Sequence, residues 1–163
     1  NIPKERYDII TWFDVIEHIT NPKEQIKKIE AALKKNGILY ISTPNFSGFL
    51  SKWLKSQWPM YCPPEHLLYF SPNSLSFSLE QAGLKVESVR TLNPGYRYFA
   101  NLLVKGLTGK DLNGYTEKYK NNVFIITLYY ILIWPFLVAS LFIRLALRIN
   151  KTGDCLEVIA VKE

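Results

Sequence analysis

Two carboxylates and an imidazole fall inside one short run, Phe13-Asp14-Val15-Ile16-Glu17-His18-Ile19. If that run is helical, Asp14, Glu17 and His18 stand at i, i+3 and i+4 and share one face. Such a cluster can move a proton or hold a divalent cation. The same spacing has a plainer reading: a solvated first turn, whose acidic residues favour a helix N-terminus. A second histidine, His66, stands in an aromatic, proline-containing stretch over 46–70. There it either faces a ligand or hydrogen-bonds a loop carbonyl. Trp53, Trp58 and Tyr61 in the same stretch fit a pocket wall or the packing of a lid.

The elements that would position these groups are legible from pattern. Tyr7–Phe13 (YDIITWF) is β-branched and aromatic and reads as a buried strand. Asn21-Pro22 is a helix start, and Ile26, Ile29 and Leu33 recur on one helical face. Asn36-Gly37 is expected to close that helix. Ile38–Ser42 (ILYIS) then reads as a second buried strand, stopped by Thr43-Pro44. Strand, helix and strand with short joins make a βαβ unit, whose ligands bind at the carboxyl ends of the strands. Those ends lie near Asp14 and near Thr43–Asn45.

Further on, a short helix is expected around 47–55. Another begins at Ser71-Pro72, carries Leu75, Leu79 and Ala82, and ends at Gly83. Leu84–Thr91 and Cys155–Val161 read as strands, the last of them central because it is apolar on both faces.

Composition is that of an ordinary globular chain, which argues against disorder. The net charge of +6 gathers on both sides of a late apolar block rather than in a nucleic-acid motif. Cys62 and Cys155 form no C-x-x-C pair, so they read as free thiols in a reducing compartment. The chain opens on Asn1, which suggests a piece of a longer protein. Gly106–Asp111 is too short for a phosphate-binding loop.

Three blocks in order carry a resemblance. Tyr7–Ile19 (YDIITWFDVIEHI), Asn36–Asn45 (NGILYISTPN) and Pro64–Ser71 (PEHLLYFS), with Ala82-Gly83-Leu84 after them, resemble class I S-adenosylmethionine (SAM)-dependent methyltransferases. The nearest branch includes the ubiquinone-biosynthesis O-methyltransferases and sugar- and lipid-modifying relatives. The resemblance implies an α/β fold: the C-terminal half of a Rossmann-like methyltransferase sheet. It would have three parallel strands and one antiparallel last strand between the second and third, helices on both faces, and the first strand as an open edge.

The resemblance also implies SAM as cofactor, with Trp12, Phe13 and Asp14 beside its amino-acid end. It makes His18 the candidate base, with Glu17 beside it; His66, from its place in the aromatic loop, is the third catalytic candidate. Some quinone O-methyltransferases use a set matching Asp14, Glu17 and His18 for a divalent metal. Asp14 is shorter than the usual glutamate there, and no metal is assigned. The family's glycine-rich SAM loop is absent, since the eight glycines contain no G-x-G. The 163 residues alone are therefore expected to bind SAM weakly and to be inactive.

Residues 1–91 and 154–163 read as a partial methyltransferase domain, and 92–153 as a helical insertion. Its core, Val123–Ile143, has no charge and is divided by Pro135. Pairing of the last strand in the same sheet argues against a single membrane crossing. Two half-length helices, about 118–134 and 136–149, would be too short to span and would lie in the interface, with Tyr129, Tyr130 and Trp134 near headgroups. Packing on protein is the other reading. The expectation is a cytoplasmic, peripherally membrane-associated enzyme acting on a small-molecule or lipid-linked acceptor, with no nucleic acid as partner. The alternative is a non-catalytic, membrane-anchored half-domain that pairs with or regulates another chain.

Overall fold

The computed structural model describes residues 3–92 and 152–163. Its elements run β1 (Tyr7–Phe13), α1 (Pro22–Ala32), β2 (Leu33–Pro44), α2 (Phe49–Leu54), α3 (Pro72–Glu80), β3 (Leu84–Leu92) and β4 (Cys155–Lys162). Single 3-10 turns add Ile16–His18 and Lys55–Gln57.

The helix starts arise from their caps. The Asn21 side chain accepts from the Glu24 amide ahead of Pro22. Ser71 and Ser74 exchange side-chain and backbone hydrogen bonds ahead of α3, with Pro72 in its first turn.

The strands form one mixed sheet in the order β1-β2-β4-β3. β1 pairs with β2 in parallel, and β4 pairs antiparallel with both β2 and β3. The α/β class expected from the sequence is therefore present. One core unites Ile26 and Ile29 of α1, Leu75 and Leu79 of α3, and the inward side chains Leu39, Ile41, Leu156, Val158 and Ala160 of β2 and β4. Burying each large aliphatic side chain contributes about 1.5–3 kcal/mol relative to leaving it in water.

Three expectations are corrected. First, α1 stops at Ala32, and Leu33 is already extended. Asn36-Gly37 instead lies within β2, where the register jumps from Tyr7↔Leu33 to Ile9↔Ile38. Asn36 adopts φ 62°. A Cβ on Gly37 would lie 2.8 Å from the Lys34 carbonyl oxygen. The pair serves a bulge because a bulge and a helix end both need a left-handed or uncrowded residue.

Second, β1 is not the buried strand that its residues suggest; it is the open edge that the resemblance implies, and Ile9 and Phe13 are 61% and 62% exposed. Third, β4 is central but buries one face fully, through Leu156, Val158 and Ala160. Its other face, with Cys155, Glu157 and Ile159, is half-buried. The longer helices among the described residues, α1 and α3, contribute to the same core.

The expected apolar insertion lies outside the described residues except for Leu92, Thr152 and Gly153. Among the described residues, no helix is long and apolar enough to cross a membrane.

Candidate active site

The carboxyl ends of β1 and β2 meet at this site. The Asp14 amide donates to the Ser42 carbonyl at 2.9 Å, which holds the two strand ends level. Asp14 itself adopts φ 51°, a left-handed conformation that aspartate tolerates better than most residues. That turn breaks any helix from Asp14 onward. Beyond it the chain makes one 3-10 turn, Ile16–His18.

The expected shared face of Asp14, Glu17 and His18 therefore does not form. Asp14 and His18 are exposed, whereas Glu17 is turned inward and only 1% exposed. A 3-10 turn has three residues per turn, so i+3 and i+4 diverge here.

Glu17 takes His66 as a neighbour instead. The Leu67 and Leu68 amides donate to the Glu17 main-chain oxygen at 2.8 and 3.1 Å, pinning the loop after Pro64 against the 3-10 turn. The rings of His18 and His66 then meet edge to face, with centroids 4.8 Å apart. Ligand-capable atoms of Glu17, His18 and His66 all lie within 4.8 Å of one another.

Each imidazole is anchored on a carbonyl. His18 Nδ1 lies 2.6 Å from the Glu65 oxygen and His66 Nδ1 lies 2.7 Å from the Met60 oxygen. A carbonyl can only accept, so Nδ1 carries the hydrogen in both rings. In a neutral ring Nε2 then holds the lone pair. For His66 the structure shows the bond to a loop carbonyl, and it also brings the ring into the cluster with Glu17 and His18.

Thr43, fully buried at the end of β2, donates to Glu17 Oε2 at 2.9 Å. Glu17 Oε1 is buried with no partner among the described residues. A buried acceptor left unsatisfied costs about 1–3 kcal/mol, more when charged. Sequence reasoning does not single out Thr43. Its signal is a polar residue on the inward side of an alternating strand, at the ligand end.

An aromatic cluster adjoins the imidazoles. Tyr69 lies 6.4 Å from His66 and packs against Phe46, Trp58 and Tyr61 at 5.6, 6.5 and 5.3 Å between centroids. Burial raises the Tyr69 phenol above its ordinary pKa, so it remains protonated and serves as wall rather than base. Phe46 and Tyr61 also line a cleft of about 570 Å³ with Lys52 and Lys55. Trp58 is buried in the cluster, while Trp53 is 64% exposed against Phe49 and does not join it.

The remaining sequence candidates sit at the edge strand. Trp12 is half-buried against the core, and Phe13 packs its exposed ring on Tyr40 at 5.2 Å. Gly37 lies in a bulge, Gly48 precedes α2 and Gly83 comes after α3. None of these glycines stands at the end of β1.

The family model for a methyltransferase domain matches residues 2–89, more than half of the chain. The chain belongs to that family. SAM is the cofactor of this methyltransferase family. The ubiquinone biosynthesis O-methyltransferase of Rhodopseudomonas palustris is 30% identical over 96 residues, covering 50% of this chain and 38% of that protein. The enzyme of the same name from Glaesserella parasuis is 46% identical over 41 residues, 25% of this chain and 17% of that one. The chain thus spans well under half the length of these curated relatives.

Among solved structures, a SAM-dependent methyltransferase from Thermotoga maritima, a possible histamine N-methyltransferase, aligns with TM-score 0.57 at 14% identity. The alignment covers 99% of this chain and 59% of that one. Phosphoethanolamine N-methyltransferase 2 of Haemonchus contortus, solved with SAM, gives 0.53 at 17%, covering 99% and 34%. At such identities the likeness speaks for the fold.

Proposed function

We propose that this chain supplies the acceptor-activating wall of an enzyme that transfers the methyl group of SAM to an aromatic or lipid-linked acceptor. The observation that carries the reading is the Glu17–His18–His66 cluster, linked through the Tyr69 ring to Tyr61 in the wall of an aromatic cleft, at the strand ends where ligands of such sheets bind. SAM, when bound, supplies an electrophilic methyl group. An acceptor hydroxyl reacts with it once its proton is removed. His18 Nε2, with Nδ1 fixed on the Glu65 carbonyl, is oriented to take that proton, and Glu17 and His66 support the charge. Stacking against Phe46 and Tyr61 positions a flat acceptor, and Lys52 and Lys55 favour one bearing negative charge.

Trp12, Phe13 and the exposed Asp14 carboxylate fit the amino-acid end of SAM alone. The described glycines offer no backbone cradle for its nucleoside. Support for a lipid-linked acceptor comes from the ubiquinone-biosynthesis names of the relatives and from the basic flanks of Val123–Ile143. We place the protein at the cytoplasmic membrane surface on the same grounds.

The test uses the protein together with whatever coding sequence adjoins Asn1, labelled SAM and a membrane lipid extract. Label in the organic phase, lowered about 10²–10⁴-fold in kcat by His18→Ala, is the expected result. Label only in water-soluble acceptors defeats the lipid assignment, and no transfer defeats the activity. The exposed edge β1 favours a second reading, a half-domain that pairs with another chain without catalysing. Absence of a glycine-rich strand and loop encoded upstream of Asn1 would favour that reading.

A further inference from the structure

We infer that the cleft beside α2 binds a phosphate ester, and that the methyl acceptor carries this group at the end remote from the atom that is methylated. That the phosphate belongs to the acceptor rests on the proposed activity; the binding itself does not.

The cleft has walls of two kinds. Phe46 and Tyr61, each about half exposed, supply ring faces. Lys52, Lys55 and Ser56 supply donors. Neither lysine has an ion pair among the described residues, and no acidic side chain among them lines the cleft. Ser47 and Ser51 also border it, but their hydroxyls already donate to Asn45 Oδ1 and to the Phe46 carbonyl. The exposed Ser56 hydroxyl has no partner among the described residues.

Lys55 stands directly after α2 with φ 52° and ψ −121°. That pair lies outside the small left-handed region open to side chains, and glycine is the usual residue there. A lysine in such a place keeps a cation on the cleft at a cost in backbone strain.

The donor set selects the ligand. Two unpaired ammonium groups match the charge of about −1.5 to −2 on a phosphate monoester, whose oxygens accept from both lysines and Ser56. A carboxylate brings one charge and two oxygens, and the planar fork of arginine suits it better than lysine. The two rings favour an apolar group next to the phosphate. From the cleft, Tyr61 stacks on Tyr69 at 5.3 Å, and Tyr69 meets His66 at 6.4 Å between centroids. Two ring contacts thus separate the phosphate from the imidazoles, so the hydroxyl that loses its proton at His18 stands at the other end of the acceptor.

The 163-residue chain, without SAM, is titrated by calorimetry with naphthyl phosphate, naphthoate and naphthol. We expect one saturable site for the phosphate, at least about 10-fold tighter than for the other two. Lys52→Gln and Lys55→Gly should each weaken it by about 10-fold, the loss of one charged hydrogen bond. Lys55→Gly should keep or raise the urea midpoint, because glycine relieves the backbone, so its weaker binding is not unfolding. His18→Ala should bind the phosphate as before while losing methyl transfer, which separates the site from the activity. A second arm uses phosphatidylcholine vesicles that carry an alkyl phosphate. Flotation with them that depends on both lysines assigns the group to a lipid headgroup, and binding of the soluble ester alone assigns it to a free phosphate ester. In the transfer assay naphthyl phosphate should compete with the acceptor, and binding without competition would overturn the link to the acceptor. Equal affinity for naphthoate and naphthyl phosphate would overturn the site. So would phosphate binding unchanged in both lysine variants, or none by the folded chain.

Discussion

Thr43 decides what Glu17 can be. Its hydroxyl donates to one carboxylate oxygen, and the other has no partner among the described residues. Thr43→Val keeps the shape of the side chain but leaves both oxygens without that donor. We expect it to destabilise the fold by about 1–3 kcal/mol, read from urea unfolding midpoints at constant m-value. A smaller change would mean that Glu17 finds another donor in solution. The site is partly legible from sequence at this scale. Residue type and position single out Glu17, His18 and His66. Their grouping is not legible, because the residues that join His66 to the turn lie about fifty positions further along. A helical period also fails where aspartate turns the chain left-handed, so Asp14, which both that period and the resemblance draw into the cluster, stands outside it.

α2 is held by the residues that lead into β4. The Leu50 amide donates to Asp154 Oδ1 at 2.9 Å, the Phe49 amide to the Thr152 carbonyl at 2.8 Å, and the Asn45 amide to the Asp154 carbonyl at 2.7 Å. Burial pushes the Asp154 carboxyl up to about 6 despite the Leu50 bond. Its ordinary value is near 3.8, so the folded state holds the proton more tightly than the unfolded chain. The stability linked to Asp154 is complete below pH 3.8 and is lost as pH rises through about 6. Asp154→Asn should remove that component and flatten the stability profile across this window, measured by unfolding at several pH values. An unchanged slope would contradict the assignment. The helix starts are readable because Asn21-Pro22 and Ser71-Pro72 act through local bonds. The end of α1 is not, since Asn36-Gly37 serves a bulge as well as a cap, and only pairing with β1 distinguishes the two.

The whole molecule presents its apolar edge to solvent. Ile9 and Phe13 on β1 are more than half exposed, which an isolated sheet edge seldom sustains without a covering partner. Fold class is legible at this scale because strand, helix and strand with short joins admit few topologies. The exposure of β1 is not legible from its residues, which are as apolar as those of a central strand. The chain covers 38% of its Rhodopseudomonas relative and lacks any G-x-G loop. Titration of the 163-residue chain with SAM should therefore show no saturable micromolar binding by calorimetry. Tight binding would mean that these residues hold the nucleoside without a glycine-rich loop.

The bonds between residues 152–154 and α2 have a further meaning for how such a domain can be altered. From the 152–154 side, two main-chain carbonyls serve the Asn45 and Phe49 amides and a third, that of Gly153, accepts from the Asn45 side chain at 2.6 Å. Asp154 adds a side chain through Leu50. Across from them, Gly48 leaves no space, since a Cβ there would lie 2.8 Å from Asp154 Oδ1. This junction reads the path of the chain far more than its sequence. Removing the Asp154 carboxylate would release the Leu50 amide, and a side chain at position 48 would push α2 away from residues 153 and 154. Residues 152–154 thus clamp two elements at once: the chain that enters β4 also holds the start of α2 in place.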